Sequence, residues 1–205
     1  MFEPVQIRLD LSHPQTQTIA VSIQWTPQTQ RQIFRLPVWT PGSYTVRDHA
    51  QNLHSLQLYA NGEELPLRRM APHQWLCDLP DLSPLTLNYQ LEARDLTVRT
   101  GLLDPDFASL CLAALAMEID GCRWSPHHVD VKVPQHWSVH LPLEASAEGW
   151  VAADFDALVD SPLHAGPFQA EPFTVEGKNH ELLLIGTPPM GWPLNFISDI
   201  EKVCS

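Results

Sequence analysis

The stretch TIAVSIQW, residues Thr18–Trp25, places an apolar side chain at every second position. The same alternation occurs in VQIRLDL (Val5–Leu11) and RQIFRLPVW (Arg31–Trp39), and clusters of Pro, Gln or Thr bound each stretch. Because successive side chains of a strand point to opposite faces, this period predicts strands with one buried and one solvent-facing side. The first part of the chain is therefore predicted to form an antiparallel sheet.

Strand patterns continue along the rest of the chain. Leu53–Leu67 contains Asn61-Gly62 between two apolar runs, a strong hairpin signal. Further strands are predicted at His73–Leu79, Thr86–Thr100, Val129–Val133 and Trp137–Leu143, and a second hairpin at Phe173–Gly186, closed around Glu176–Asn179.

Helical signals are few. Leu110–Asp120 has the Ala and Leu content of a helix but the length of a buried strand, and the surrounding β pattern favours the strand. Asp154–Gly166 predicts one helical turn stopped by Pro162, and Pro193–Ser205 predicts the start of an amphipathic helix. Nineteen prolines also disfavour long helices.

These patterns predict an all-β fold, an antiparallel β-sandwich of two packed sheets with minor helix and the start of a helix at the C-terminus. We expect residues 1–190 to form one β-rich domain. Residues 191–205 would be a linker and helix leading to a domain that the chain does not contain, because the tail builds an apolar helical face and stops without a C-cap.

Charge and composition exclude several classes of function. The net charge is −12 and the basic residues are scattered, which excludes a nucleic-acid-binding surface. No apolar run reaches the ~18–20 residues that cross a bilayer, so we expect no membrane partner and a cytoplasmic protein. The four cysteines lack CxxC pairs and favour reduced, buried thiols.

No catalytic or metal-binding constellation is predicted. His180-Glu181 begins a zinc-hydrolase pattern, but Leu184 stands where the second histidine would be. Cys122, His127 and His128 lack a second ligand pair for a tetrahedral site. The acidic pairs Asp104/Asp106 and Asp154/Asp156 occur where aspartate typically caps turns and short helices.

Several motifs resemble one known family. The first is WTPGSYTVRDHA (Trp39–Ala50), in which Thr40–Ser43 suits a type II turn. Four more follow in the family's order: ARDLTVRTGLLD (Ala93–Asp104), PQHWSVHLPL (Pro134–Leu143), ADFDALVDSPLHAG (Ala153–Gly166) and GKNHELLLIG (Gly177–Gly186). Together they resemble the N-terminal domain of the glycyl aminopeptidase family of zinc metallopeptidases, the sixty-first metallopeptidase family.

The resemblance implies a β-rich, non-catalytic domain packed on a thermolysin-like catalytic domain of the same polypeptide. That missing domain would hold the zinc and hydrolyse peptides at small N-terminal residues, so this chain is expected to be inactive alone, with no cofactor of its own. The chain would wall the substrate cleft, and Trp39, Tyr44 and Arg47 are the candidate substrate-binding or domain-interface residues. Alternatively, Arg47 pairs with Asp48 and the corner only packs.

A second functional class remains open from the sequence. A free-standing β-sandwich could bind a glycan or a protein strand through exposed aromatic residues, for which Trp124, Trp150 and Trp192 are the candidates. Sandwich folds serve many functions, so the fold alone does not separate the two hypotheses.

Overall fold

The computed structural model describes residues 3–39, 45–185, 191, 193 and 195–204. Strands dominate these described residues, which also contain two α-helices and three short 3₁₀ turns. The strands are β1 Val5–Asp10, β2 Thr18–Trp25, β3 Arg31–Arg35, β4 Leu53–Ala60, β5 Glu63–Leu65, β6 Arg68–Ala71, β7 Gln74–Asp78, β8 Leu85–Glu92, β9 Gly101–Leu103, β10 Ala108–Cys111, β11 Glu118–Ile119, β12 His127–Lys132, β13 Ser138–His140, β14 Glu144–Ser146, β15 Gly149–Ala152, β16 Pro162–Gly166, β17 Gln169–Val175 and β18 Lys178–Leu184. The helices are α1 Phe155–Val159 and α2 Phe196–Cys204, and the 3₁₀ turns are Pro14–Thr16, His49–Asn52 and Leu112–Ala114.

The largest sheet has eight strands in the order β14-β15-β12-β1-β2-β8-β4-β5. Its strands pair antiparallel except β1 and β12, which are parallel. The alternating pattern of the sequence sets the buried face: Val21 lies opposite Tyr89 and Ile23 opposite Leu87, and all four side chains are buried.

Two four-stranded sheets, β13-β16-β10-β9 and β11-β3-β7-β6, pack against that face. Phe34 of β3 and Leu163 of β16 join the same hydrophobic core as Leu9 and Leu87 of the large sheet. A fourth sheet consists of β17 and β18 alone. The predicted all-β, mainly antiparallel fold is confirmed, with the strands divided among four sheets.

Both predicted hairpins form. Asn61 and Gly62 connect β4 to β5 with φ of 52° and 84°, and Glu176 and Gly177 connect β17 to β18 with φ of 48° and 76°. Positive φ at both central residues is the type I′ geometry that matches the twist of a two-residue hairpin. The second hairpin therefore turns at Glu176-Gly177, within the predicted loop.

The region 110–120, predicted as one strand, is interrupted. It contains the end of β10, the 3₁₀ turn Leu112–Ala114 and the two-residue strand β11. The buried Tyr89 hydroxyl explains the interruption, because it donates to the Leu115 carbonyl at 2.7 Å and accepts from the Met117 N–H at 3.3 Å. These contacts satisfy backbone groups that a sheet would otherwise have to pair.

Three other predicted strands are shorter than expected. Of the predicted Trp137–Leu143, only β13 Ser138–His140 forms a strand. β3 ends at Arg35, two residues before Pro37, which has no N–H to give to a ladder. β8 ends at Glu92, and the predicted continuation to Thr100 forms a turn instead. The predicted helical turn is present as α1, and Asp154 caps it by accepting from the Ala157 N–H at 2.8 Å.

Removing the Tyr89 hydroxyl is expected to destabilise the fold. Tyr89→Phe leaves the buried Leu115 carbonyl and Met117 N–H without their partner, which should cost about 2 kcal/mol. Chemical denaturation would measure the loss, and Tyr59→Phe, at a partly exposed position, should change stability by less than about 0.5 kcal/mol. Equal effects of the two substitutions would contradict this explanation.

Candidate functional site

Several connections meet at one end of the large sheet. The 3₁₀ turn His49–Asn52 leads into β4, the segment after β8 turns at the same end, and Ala114 and Leu115 lie between them. Together they enclose a small recess of about 20 Å³, roughly the space of one water molecule. We call this end of the domain the recess end; it includes the predicted corner around Trp39 and Arg47.

A backbone hydrogen bond joins the two described ends of the corner. The Arg47 N–H donates to the Val38 carbonyl at 2.8 Å, so the two ends of the corner are held together. Arg47 is partly buried, and its Nε has no hydrogen-bond partner among the residues that the structure describes. A partly buried guanidinium with an unused donor is suited to a contact with an acceptor from another domain.

His49 follows this corner and is buried. Burial lowers the pKa of His49, and the positive charge of Arg47 lowers it further, while Asp48 acts in the opposite direction. His49 also lines the recess. The charge of Arg47 on the corner therefore acts on His49, a residue that lines the recess.

Apolar side chains are exposed around the recess end. Trp39 is 54% exposed, Val46 73%, Leu96 60% and Val98 89%. Single exposed apolar residues are common on protein surfaces. Here two lie on the corner that leads to His49 and two on the turn after β8, and both of these connections continue into residues that border the recess.

The turn that carries Leu96 and Val98 is internally braced. The Asp95 N–H donates to the Gly101 carbonyl at 3.0 Å, and the Thr100 hydroxyl donates to the Asp95 carbonyl at 2.8 Å. The turn therefore holds both apolar side chains in solvent by a fixed backbone, which reduces the entropy lost when a partner binds.

Sequence reasoning did not single out Leu96 and Val98, although a signal is present. Leu87 and Ala93, at odd positions, face the core, whereas Leu96 and Val98 occupy even positions. Odd and even positions of a strand point to opposite faces, so one strand cannot bury both sets against the same core. The change of the apolar residues from odd to even positions therefore indicates that the strand ends and that the later apolar residues become exposed.

The predicted site residues are brought together only in part. Trp39 and Arg47 lie on the same corner, whereas Tyr44 lies outside the described residues. Of the aromatic residues considered for a binding module, Trp124 is 61% exposed, Trp150 packs against the core, and Trp192 lies outside the described residues. Trp124 and Trp150 thus do not form one exposed aromatic platform.

The residues considered for catalysis have structural roles. Cys122 and His127 are buried, and Asp104 accepts from the N–H groups of Asp106 and Phe107 in a turn. Within residues 3–39, 45–185 and the described part of the tail, no group of three or more His, Cys, Asp or Glu is arranged to hold a metal. No described helix is long and apolar enough to span a bilayer.

Residues 6–167 match the family model of the Peptidase M61 N-terminal domain. The chain belongs to this family. The resemblance recognised from the motifs is thereby confirmed, and the chain is a peptidase-associated domain. No curated protein matches it.

Solved structures share the fold. An aminopeptidase N family protein from Idiomarina loihiensis superposes with a TM-score of 0.87 and 25% identity over 98% of this chain. An M1 zinc metallopeptidase from Deinococcus radiodurans gives a TM-score of 0.54 with 13% identity over 98% of the chain. A mutant M1 zinc metallopeptidase from the same organism, bound to a Tyr-Ser-Ala substrate, gives 0.54 with 12% identity over 94%.

These proteins are longer than this chain. The match covers 35% of the Idiomarina loihiensis chain, and 51% and 50% of the two Deinococcus radiodurans chains. This chain therefore spans between about a third and a half of their length.

Proposed function

We propose that this chain is the non-catalytic N-terminal domain of a zinc-dependent aminopeptidase, and that its recess end docks on the catalytic domain of the same polypeptide. Membership of a peptidase N-terminal domain family supports the first part. The exposed Trp39 and Val46, on the corner that also carries the partly buried Arg47, support the second part, and they are the observation that carries the proposal.

The chemistry would belong entirely to the other domain. Zinc would be held by catalytic-domain ligands, where it would polarise the scissile carbonyl and activate water. This domain would contribute a rigid wall that closes one end of the cleft, so that a peptide enters by its N-terminus and is held in position. The resemblance to the glycyl aminopeptidase family supports a preference for small N-terminal residues, which is the specificity we propose.

The charge of Arg47 limits its role at such a wall. A guanidinium repels the ammonium of a peptide N-terminus, so Arg47 would contact an acidic side chain or a carbonyl of the catalytic domain and not the substrate amine. Trp39 would supply buried apolar area, as tryptophan commonly does at the centre of interfaces. Tyr44, which belongs to the same sequence motif, is proposed as the second polar contact.

The test uses the longer polypeptide that carries both domains. Trp39→Ala and Arg47→Ala are each expected to reduce kcat/KM for a dipeptide or aminoacyl substrate about tenfold, which corresponds to about 1.4 kcal/mol of lost interface energy. Trp124→Ala is the matched control, because Trp124 is similarly exposed but lies outside the recess end. It should leave kcat/KM within about twofold.

Unchanged kinetics and unchanged thermal stability for Trp39→Ala and Arg47→Ala would refute the docking role. A loss of activity in Trp124→Ala that equals the loss in Trp39→Ala would place the contact elsewhere. Absence of zinc and of peptidase activity in the longer polypeptide would refute the aminopeptidase assignment and favour a ligand-binding module.

A further inference from the structure

The hairpin of β17 and β18 is separate from the rest of the fold. It forms a sheet of its own, and α2 packs against β17. Val175 and Leu184 are each 7% exposed, yet neither belongs to the hydrophobic core shared by the other sheets. These two side chains are therefore buried apart from the shared core.

Among the described elements, β17 and β18 make extensive contacts only with each other and with α2. Side-chain contacts with the rest of the fold centre on His140. The Glu181 carboxylate lies 3.0 Å from His140 Nδ1, and the Phe168 ring packs at 5.7 Å from the His140 ring. The match to the N-terminal domain family also ends at residue 167, just before β17 begins. Both observations indicate that a structural boundary falls near residue 167, earlier than the position expected from the sequence.

The two outer edges of the hairpin differ in their free backbone groups. Val175 and Lys178 flank the two-residue turn, and such a flanking pair exchanges hydrogen bonds, so every second pair beyond it points its N–H groups outward. Pro172, paired with Glu181, falls on an outward position of β17 and has no N–H. The edge of β17 is thus interrupted.

The edge of β18 is continuous. By the same alternation, Asn179, Glu181 and Leu183 point their N–H and C=O groups away from β17, and no proline interrupts them. A two-stranded hairpin is marginally stable by itself, and an open edge of this kind accepts another strand.

The helix that follows indicates how a strand would reach this edge. α2 comes after β18 and packs back against β17, so it lies on the hairpin as in the first half of a strand–helix–strand crossover. Such a crossover delivers a strand parallel to the first one. Val203 of α2, which follows Phe196 at helical spacing, is 86% exposed, so the helix also has apolar surface still to be covered.

We propose that residues 169–204 are the first elements of a second domain, and that β18 is the acceptor edge for a parallel strand supplied by polypeptide beyond this chain. The greater length of the similar Idiomarina loihiensis protein, of which this chain covers 35%, makes following polypeptide of the same molecule the occupant. The edge of β17 stays free.

Hydrogen exchange of the unmodified protein tests this arrangement. In this chain the outward amides of Asn179, Glu181 and Leu183 should exchange at the rate of exposed amides. In the longer polypeptide they should exchange at least about 100-fold more slowly, while the outward amide of Thr174 on β17 stays unprotected in both. Protection of Thr174 without protection of Glu181, or no gain at either edge, would overturn the proposal.

Two proline substitutions provide a matched comparison. Thr174 and Asn179 are directly paired and both exposed, and each points its N–H outward. In the longer polypeptide, Asn179→Pro should lower Tm by at least about 5 °C more than Thr174→Pro, because it alone removes a donor to the added strand. Equal shifts would refute β18 as the acceptor.

Limited proteolysis of this chain tests the boundary. Cleavage is expected first within residues 167–195, leaving a resistant fragment that ends near residue 167. Loss of the whole chain at one rate would place the hairpin within the N-terminal domain. These outcomes do not depend on Trp39 or Arg47, so the docking proposal can fail while this one holds.

Discussion

Gly149→Ala is expected to lower the free energy of unfolding by about 3–5 kcal/mol, because two penalties coincide there. Gly149 begins β15 with φ of 126°, a conformation that L-residues rarely adopt. A Cβ at this position would also lie 2.2 Å from the Val129 carbonyl oxygen, a backbone atom of β12 that cannot move without breaking the ladder. The alanine methyl therefore forces the β14–β15 hairpin away from the sheet.

Gly62→Ala is the matched control. Gly62 has φ of 84°, but nothing lies within 4 Å of the position that an alanine methyl would take, so only the backbone strain of about 1 kcal/mol applies. Thermal denaturation should give a Tm about 6–15 °C lower for Gly149→Ala and about 2–4 °C lower for Gly62→Ala. Equal losses would show that strain alone, and not the close approach to Val129, makes glycine necessary.

Acid is expected to destabilise the domain through His127. This side chain is 1% exposed, and burial lowers its pKa from the ordinary value of 6.5 to about 4. Its Nδ1–H donates to the Ser125 carbonyl at 2.8 Å, which favours the neutral tautomer with that proton. Nε2 has no partner among the described residues, so a second proton would add a buried charge without an acceptor.

The direction of the pH dependence of stability follows from proton binding. Between pH 6.5 and 4 the unfolded chain holds a proton on His127 that the folded protein excludes, so stability is complete above pH 6.5 and is lost as pH falls towards 4. The total is about 3 kcal/mol, of which about 2 kcal/mol is lost between pH 7.5 and 5. Burial also lowers the pKa of His49 and of His164, which adds to the loss in the same direction.

Urea denaturation across this pH range measures the effect. His127→Gln is expected to be less stable at pH 7.5 but to lose about 2 kcal/mol less on acidification to pH 5. The control His128→Gln changes the next residue of β12, which points to the other face and is only partly buried. It should keep the full pH dependence, and an identical slope in both variants would exclude His127 as the cause.

The sequence predicted most of the strands because a period of two reports directly which face of a strand is buried. The hairpin at Asn61-Gly62 was equally predictable, since few residue pairs adopt positive φ at both positions. The region 110–120 was different. Its backbone is satisfied by the hydroxyl of Tyr89, more than 20 residues away, and no local pattern carries that information.

The candidate site shows the same division. Trp39 and Arg47 were predicted because a turn motif concentrates special residues in one place, whereas Leu96 and Val98 were treated as part of a strand. The turn that carries them borders the same recess as His49 because β4 begins where its antiparallel neighbour β8 ends. Proximity of this kind arises from sheet pairing between distant segments, which local sequence does not specify.

By itself, the sequence determined the fold class, the main hairpins and the family, because each depends on local alternation, turn chemistry or contiguous motifs. Tertiary structure alone decided which apolar side chains stay exposed, that Pro172 leaves β18 as the continuous edge, and that the hairpin stands apart from the main core. The physical reason is that exposure and free hydrogen-bonding edges are defined by what the remaining chain covers. Which side chains and strand edges the remaining chain buries or pairs is decided only when the sheets assemble.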